Sequence, residues 1–224
     1  MHDAEIAVTE LTRCVTQLGF KGCMVNGFQQ VGNRDTVHYY DHPDYREFWN
    51  VVAKLDVPFY LHPRMQIPSR SQNYDGHPWL MSAPWGFAVE TSIHALRLCG
   101  AGVFVEYPNL LICLGHLGET IPFGLWRIDS RMQFSPRGYR GKRPLGDYFR
   151  ENFHLTTSGN FDDASFRCTL DVFDHDRIYY SADYPFERMS DASDWFDATD
   201  VISDGLRVAM GRTNAIRLLN LSLN

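Results

Sequence analysis

Val57-Pro58-Phe59-Tyr60-Leu61-His62 is a short apolar run that ends on an imidazole. The layout returns in Ile112-Cys113-Leu114-Gly115-His116, and again in Tyr180-Ser181-Ala182-Asp183, where a carboxylate closes the run. Strands buried on both faces read as continuous apolar runs, and the reacting groups of (β/α) barrels sit at the carboxyl ends of such strands. Three polar residues so placed would converge on one mouth. Strands are predicted at Cys23 to Val25, Val57 to Leu61, Leu110 to Leu114, Phe153 to Thr157 and Ile178 to Ser181. Helical spacing fills the gaps. Residues 4 to 18 place Val8, Leu11, Cys14, Val15 and Leu18 on one face. Tyr45 to Leu55, Phe87 to Leu98, Ile121 to Met132, Ala164 to Phe173 and Leu206 to Leu219 follow, the last with a weak spot at Gly211. The alternation predicts an α/β fold with a parallel sheet. No Gly-x-Gly-x-x-Gly follows a strand and no Gly-Lys-Ser/Thr loop occurs, so a (β/α)8 TIM barrel fits better than a nucleotide-binding sheet. Closure takes eight strands, and five are counted.

Composition narrows the function. The 224 residues are 44% hydrophobic and 21% charged, ordinary for a globular chain, and one domain over 1–224 is expected. A net charge of -6 with no run of Lys and Arg disfavours nucleic acid as a partner. No apolar stretch approaches the roughly 20 residues of a membrane span, and Met1-His2-Asp3-Ala4-Glu5 lacks a signal-peptide layout. A cytoplasmic location is expected. The five cysteines are scattered and never spaced Cys-x-x-Cys, so they read as reduced and mostly buried packing residues.

Imidazole and carboxylate together make a usual donor set for a divalent ion, and His62 and Asp183 suit the ligand roles. Each also has a plainer reading, His62 as a structural strand-end residue and Asp183 as a turn residue before Tyr-Pro. His116 and Glu119, three apart at a strand-to-helix turn, either pair for acid/base work or leave Glu119 as a helix cap. Arg127, on the helix that follows, could hold a substrate carboxylate or simply pair with a neighbouring acid. His2, His38, His42, His77, His94, His154 and His175 lack strand-end placement and a partner at useful spacing, and read as structural or solvated.

Longer motifs add what spacing leaves open. Val25-Asn26-Gly27-Phe28, Leu55-Asp56-Val57-Pro58-Phe59-Tyr60-Leu61-His62-Pro63-Arg64, Tyr74-Asp75-Gly76-His77-Pro78-Trp79, Gly115-His116-Leu117-Gly118-Glu119, Trp126-Arg127-Ile128-Asp129 and Ser181-Ala182-Asp183-Tyr184-Pro185-Phe186-Glu187 occur in this order. They resemble the gamma-resorcylate and 2,3-dihydroxybenzoate decarboxylases of the amidohydrolase superfamily. The resemblance implies an amidohydrolase-type barrel of which about strands four to eight are present. It implies a divalent metal ion (Zn, Mn or Mg) held by His62 and Asp183, with Asp183, His116 and Glu119 as the acid/base set. Arg127 and Phe186 would bind the substrate. The implied reaction is non-oxidative decarboxylation of an ortho-hydroxybenzoate, a dihydroxybenzoate or salicylate, to a phenol and carbon dioxide, in a homodimer or homotetramer. A Glu-bearing first strand that supplies a further ligand in the family has no counterpart here, so poor activity of the bare chain is expected. The rival readings are a hydrolase of a lactone or amide and a non-catalytic remnant.

Overall fold

The computed structural model describes residues 1–222. Helix α1 (Ala4–Leu18) opens where the Asp3 carboxylate accepts the Ile6 N–H at 3.0 Å, and it stops at Gly19, whose φ of 74° suits a residue without a Cβ. Strand β1 (Cys23–Asn26) follows, then a small antiparallel hairpin, β2 (Gln29–Gln30) and β3 (Val37–His38). A 3-10 turn over Pro43–Tyr45 leads into α2 (Arg46–Leu55) and β4 (Phe59–His62). After an irregular stretch come α3 (Gly86–Gly100), α4 (Val103–Glu106), β5 (Ile112–Leu114), α5 (Ile121–Phe134), α6 (Leu145–Asn152) and β6 (Phe153–Thr156). The chain continues through α7 (Asp163–Val172), β7 (Ile178–Tyr179), α8 (Met189–Ala198), α9 (Asp204–Val208) and α10 (Asn214–Leu218).

The expected parallel sheet forms, in the order β1-β4-β5-β6-β7 with every neighbouring pair parallel. It is not a closed barrel. Among the described residues it has five strands, β1 and β7 are its edges, and no ladder joins them. Period-two alternation divides its faces. Phe59, Leu61, Ile112, Leu114, Phe153, Leu155 and Ile178 point into the helices, where they meet Phe48, Trp49, Val52, Phe104 and Phe149 in the main core. Burying each such side chain contributes about 1.5–3 kcal/mol, so this seam dominates the stability of the fold. Met24, Tyr60, Cys113, Thr156 and Tyr179 line the other face, around a cavity of ≈370 Å³. The expectation of strands covered on both faces therefore holds for β5 and β6 and fails for β1, whose Met24 is 61% exposed.

Two local features depart from the periodic pattern. The predicted helix from Leu206 to Leu219 is interrupted by a π turn over Ala209–Thr213 that contains Gly211, its weak spot. The N-cap position of α6 is Pro144, whose side chain can accept no hydrogen bond. The Asp129 carboxylate, from α5, accepts the N–H groups of Leu145 at 2.6 Å and Gly146 at 2.9 Å and so caps it from a distance.

His94 and His154 lie inside the fold. His94 accepts the Tyr40 N–H at 2.9 Å, and His154 lies between the Arg177 guanidinium at 3.0 Å and the Tyr179 hydroxyl at 2.5 Å. Burial first, then nearby arginines, brings both imidazoles down to about 3. Between the ordinary 6.5 and that value, the unfolded chain binds protons that the folded chain refuses. Stability should therefore fall as pH drops from 6.5, by up to about 1.4 kcal/mol per pH unit for each histidine. Urea midpoints between pH 7 and pH 5 check this, before most carboxylates titrate. A flat profile there would contradict the neutral, buried assignment.

Candidate active site

His62, His116 and Asp183 stand at or just beyond the carboxyl ends of β4, β5 and β7, on one rim of the sheet. Their backbone is unusual. His116, Leu117, Glu119 and Asp183 have φ between 51° and 68°, in the left-handed region that side chains with a Cβ avoid. Such conformations persist only where surrounding structure imposes them, and they gather at functional sites. They turn the chain sharply after β5 and bring Glu119 back under His116.

The His116 Nδ1 lies 2.9 Å from Glu119 Oε1, and its Nε2 lies 3.7 Å from Asp183 Oδ2. Glu119 is almost sealed from solvent, its side chain 1% exposed, while His116 and Asp183 are partly open to the rim. The geometry decides between the two readings of Glu119. Its carboxylate takes the imidazole, and Thr120, not Glu119, stands at the N-cap of α5. Burial is the largest influence on His116 and acts to lower its pKa. The Glu119 hydrogen bond and the charges of Glu119 and Asp183 outweigh it, leaving His116 above its ordinary value.

His62 is half-buried and its Nδ1 lies 3.1 Å from the Pro63 carbonyl oxygen. A carbonyl only accepts, so Nδ1 is the donor of this contact, which in a neutral ring leaves the lone pair on Nε2, the tautomer a metal-binding imidazole needs. The structure does not gather His62 and Asp183 into a compact ligand group. Among the described residues, the one set of three His, Cys, Asp or Glu donor atoms within 4.8 Å of one another is His38, His42 and Asp44. His38 and His42 were expected to lack a partner, and this is a correction: the turn at Pro43 carries Asp44 back to both imidazoles.

Arg127 and Phe186 are not drawn into the cluster. Arg127 is exposed on α5 and forms no ion pair among the described residues. Phe186 is 79% exposed, although its N–H reaches the Asp183 carbonyl at 2.9 Å and so fixes the turn.

Sequence reading missed two parts of the rim. Gly159, with φ of 62°, lies so close that a Cβ there would sit 3.3 Å from both Asp183 Oδ2 and the His116 ring. A hydroxyl row also runs beneath the site: Tyr60 Oη to Thr156 Oγ1 at 3.0 Å, Thr156 to Ser158 at 2.9 Å, and Ser158 to Ser181 at 2.9 Å. Burial pushes the Tyr60 phenol up to about 12, so it is a neutral hydrogen-bonding group. The available signal was hydroxyl residues at alternate positions on β6 and just after it, facing the tyrosine of β4.

The amidohydrolase family profile matches residues 1–221. Gamma-resorcylate decarboxylase of Rhizobium sp. (strain MTP-10005) is 53% identical over 224 residues, covering 99% of this chain and 68% of that protein. The crystal structure of 2,6-dihydroxybenzoate decarboxylase complexed with 2,6-dihydroxybenzoate superposes with a TM-score of 0.94 at 53% identity, over 98% of this chain and 68% of the other. A dihydroxybenzoic acid decarboxylase from Polaromonas sp. JS666, with bound manganese and the inhibitor 2-nitroresorcinol, gives a TM-score of 0.96 at 47% identity, over 100% of this chain and 68% of the other. With a profile match along nearly its whole length and relatives at about half identity, the chain belongs to the amidohydrolase family.

Proposed function

We propose that this protein is a carbon–carbon lyase that decarboxylates an ortho-hydroxybenzoate, a dihydroxybenzoate or salicylate, to a phenol and carbon dioxide with the help of a divalent metal ion. The observation that carries the reading is the Glu119–His116–Asp183 row at the strand ends, in a chain 53% identical to a gamma-resorcylate decarboxylase. The manganese and the aromatic ligands of the related structures support the metal and the substrate class.

His62, through its free Nε2, and Asp183 would hold the ion, whether zinc, manganese or magnesium. When bound, it supplies positive charge against the substrate carboxylate and ortho oxygen. Direct loss of carbon dioxide would leave an aryl carbanion, so the ring carbon must take a proton first or in the same step. Asp183 delivers that proton. The carbon–carboxylate bond then breaks, its electron pair restores the aromatic ring, and carbon dioxide leaves. His116, 3.7 Å from Asp183 and held on its far side by Glu119, returns a proton to the carboxylate. On the same reading Arg127 and Phe186 bind the aromatic substrate; both are exposed in this structure and would have to turn toward the rim to reach it.

Three coarser properties extend the reading. The five strands are an arc of a (β/α) barrel and the chain, 1–224, is a single domain, supported by the cavity on one face of the sheet and by two edges that no described strand pairs. Self-association into a homodimer or homotetramer is supported by Phe123 and Trp126, three apart on α5 and both exposed. A cytoplasmic location is supported by five free cysteines; among the described residues no helix is long and apolar enough to cross a membrane.

Product analysis tests the function. The protein, loaded in turn with zinc, manganese or magnesium, is incubated with 2,3- and 2,6-dihydroxybenzoate and with salicylate. The expected result is carbon dioxide and the matching phenol in equal amounts from at least one of them. A ring-opened acid from a lactone substrate, with no carbon dioxide from any benzoate, would favour the hydrolase.

A further inference from the structure

We propose that His38, His42 and Asp44 form a second metal site, for a zinc-class transition-metal ion, on the hairpin side of the molecule. The three donors lie within seven residues of chain and are brought together by the turn they share. Tyr39 and Tyr40, between the two histidines, are buried, which pins the backbone between them. The Tyr40 hydroxyl donates to the Asn26 carbonyl at 2.5 Å, and the His42 N–H donates to the Tyr39 carbonyl at 2.9 Å. Pro43 then begins the 3-10 turn that swings Asp44 back.

The spacing of the donor atoms is close to that of a ligand set, and the rings would have to rotate out of their present stack to aim both lone pairs at one ion. The two imidazole rings stack with centroids 3.9 Å apart and planes 19° from parallel. Both Nδ1 atoms face the same carboxylate oxygen, His38 at 3.6 Å and His42 at 3.2 Å from Asp44 Oδ2. Bonds of about 2.0–2.2 Å in a tetrahedron place neighbouring donors roughly 3.3–3.5 Å apart, which the two distances bracket. The fourth position is open to water. Two imidazoles and one carboxylate suit zinc, cobalt, nickel or copper better than magnesium or calcium, which prefer oxygen throughout. The acid next door, Asp41, is committed to Arg97 in a bidentate pair at 2.8 and 2.9 Å, so it neither joins the set nor competes for it. The His42 Nδ1 receives only a 3.4 Å contact from the Asp44 N–H, too long to hold its lone pair against a metal.

An ion here would tie the end of β3 to the turn that starts α2. Its partner strand β2 is itself held to the segment after His62, through Arg64 on the Phe28 carbonyl at 2.6 Å and on Gln30 at 2.8 Å. The bland alternative is a surface carboxylate beside two imidazoles, which contributes little to stability.

The test counts metal and leaves activity aside. In the whole protein stripped by chelator, His62→Ala/Asp183→Asn removes the candidate ligands of the rim, and zinc is then titrated by equilibrium dialysis with elemental analysis. That background should keep one zinc per chain, and Co²⁺ in its place should show the visible absorption of a tetrahedral site. Adding His38→Gln/His42→Gln should abolish both signals. Asp44→Asn, at an exposed position that the fold tolerates, should loosen zinc at least about tenfold. A background without zinc, or zinc that persists unchanged after His38→Gln/His42→Gln, would overturn the proposal.

Discussion

Replacing His62 by Ala or Asp183 by Asn is expected to strip the rim of its metal and abolish carbon dioxide release. Each change removes a donor from a set with few protein ligands. His62→Ala deletes the imidazole whose Nδ1 is already committed to the Pro63 carbonyl, and with it the available Nε2. Asp183→Asn keeps the shape and removes the charge, an informative swap because Gly159 leaves little room for rearrangement beside Asp183. Even partners that only orient a ligand cost 10–100-fold in affinity or activity when lost, so a ligand itself should cost more than about 100-fold. Asp183→Asn should be the more severe, since it also removes the proposed proton donor. Elemental analysis should be read alongside turnover of 2,6-dihydroxybenzoate, with the His38–His42–Asp44 group replaced so that only the rim is counted. Full metal content with normal turnover in both variants would reject the assignment.

The second large effect concerns His116 and Glu119. His116→Asn and Glu119→Gln should each lower turnover by about 10²–10⁴, the range for a general acid/base group. The double variant should lose no more than the worse single one. That non-additivity follows from the 2.9 Å contact: if Glu119 acts only by holding the imidazole, it has nothing to do once the imidazole is gone. Glu119 is sealed from solvent, so thermal unfolding must be measured alongside, to separate lost stability from lost chemistry. Additive losses in turnover would reduce Glu119 to a packing residue.

Most of the layered plan was legible from local pattern. Strand cores at Phe59, Ile112, Phe153 and Ile178 and helices at Ala4–Leu18, Arg46–Leu55 and Ile121–Phe134 announce themselves by period, because each must bury one continuous face. Helices α6 and α8 escaped notice. The cap of α6 is a carboxylate on another helix, and no window of a few residues contains both partners. The hairpin of β2 and β3 escaped for a related reason: two residues per strand are too few to show alternation.

For the rim, sequence alone named His62, His116 and Asp183 as strand-end polar groups and left Glu119 open between cap and partner. The tertiary structure chose partner, because left-handed backbone at His116, Leu117 and Glu119 folds the carboxylate under the ring, and no propensity foretells three such residues. It also placed Arg127 and Phe186 in the open, added Gly159 and the hydroxyl row, and joined His38, His42 and Asp44 across a turn. What the sequence by itself determined is the periodic part, the succession of the strands and most of the helices and the polar residue at the end of three of the strands, since burial acts on every residue through its near neighbours. What only the tertiary structure decided is which of those ends meet and whether the sheet closes, since these depend on backbone torsions and on pairings between residues far apart in the chain.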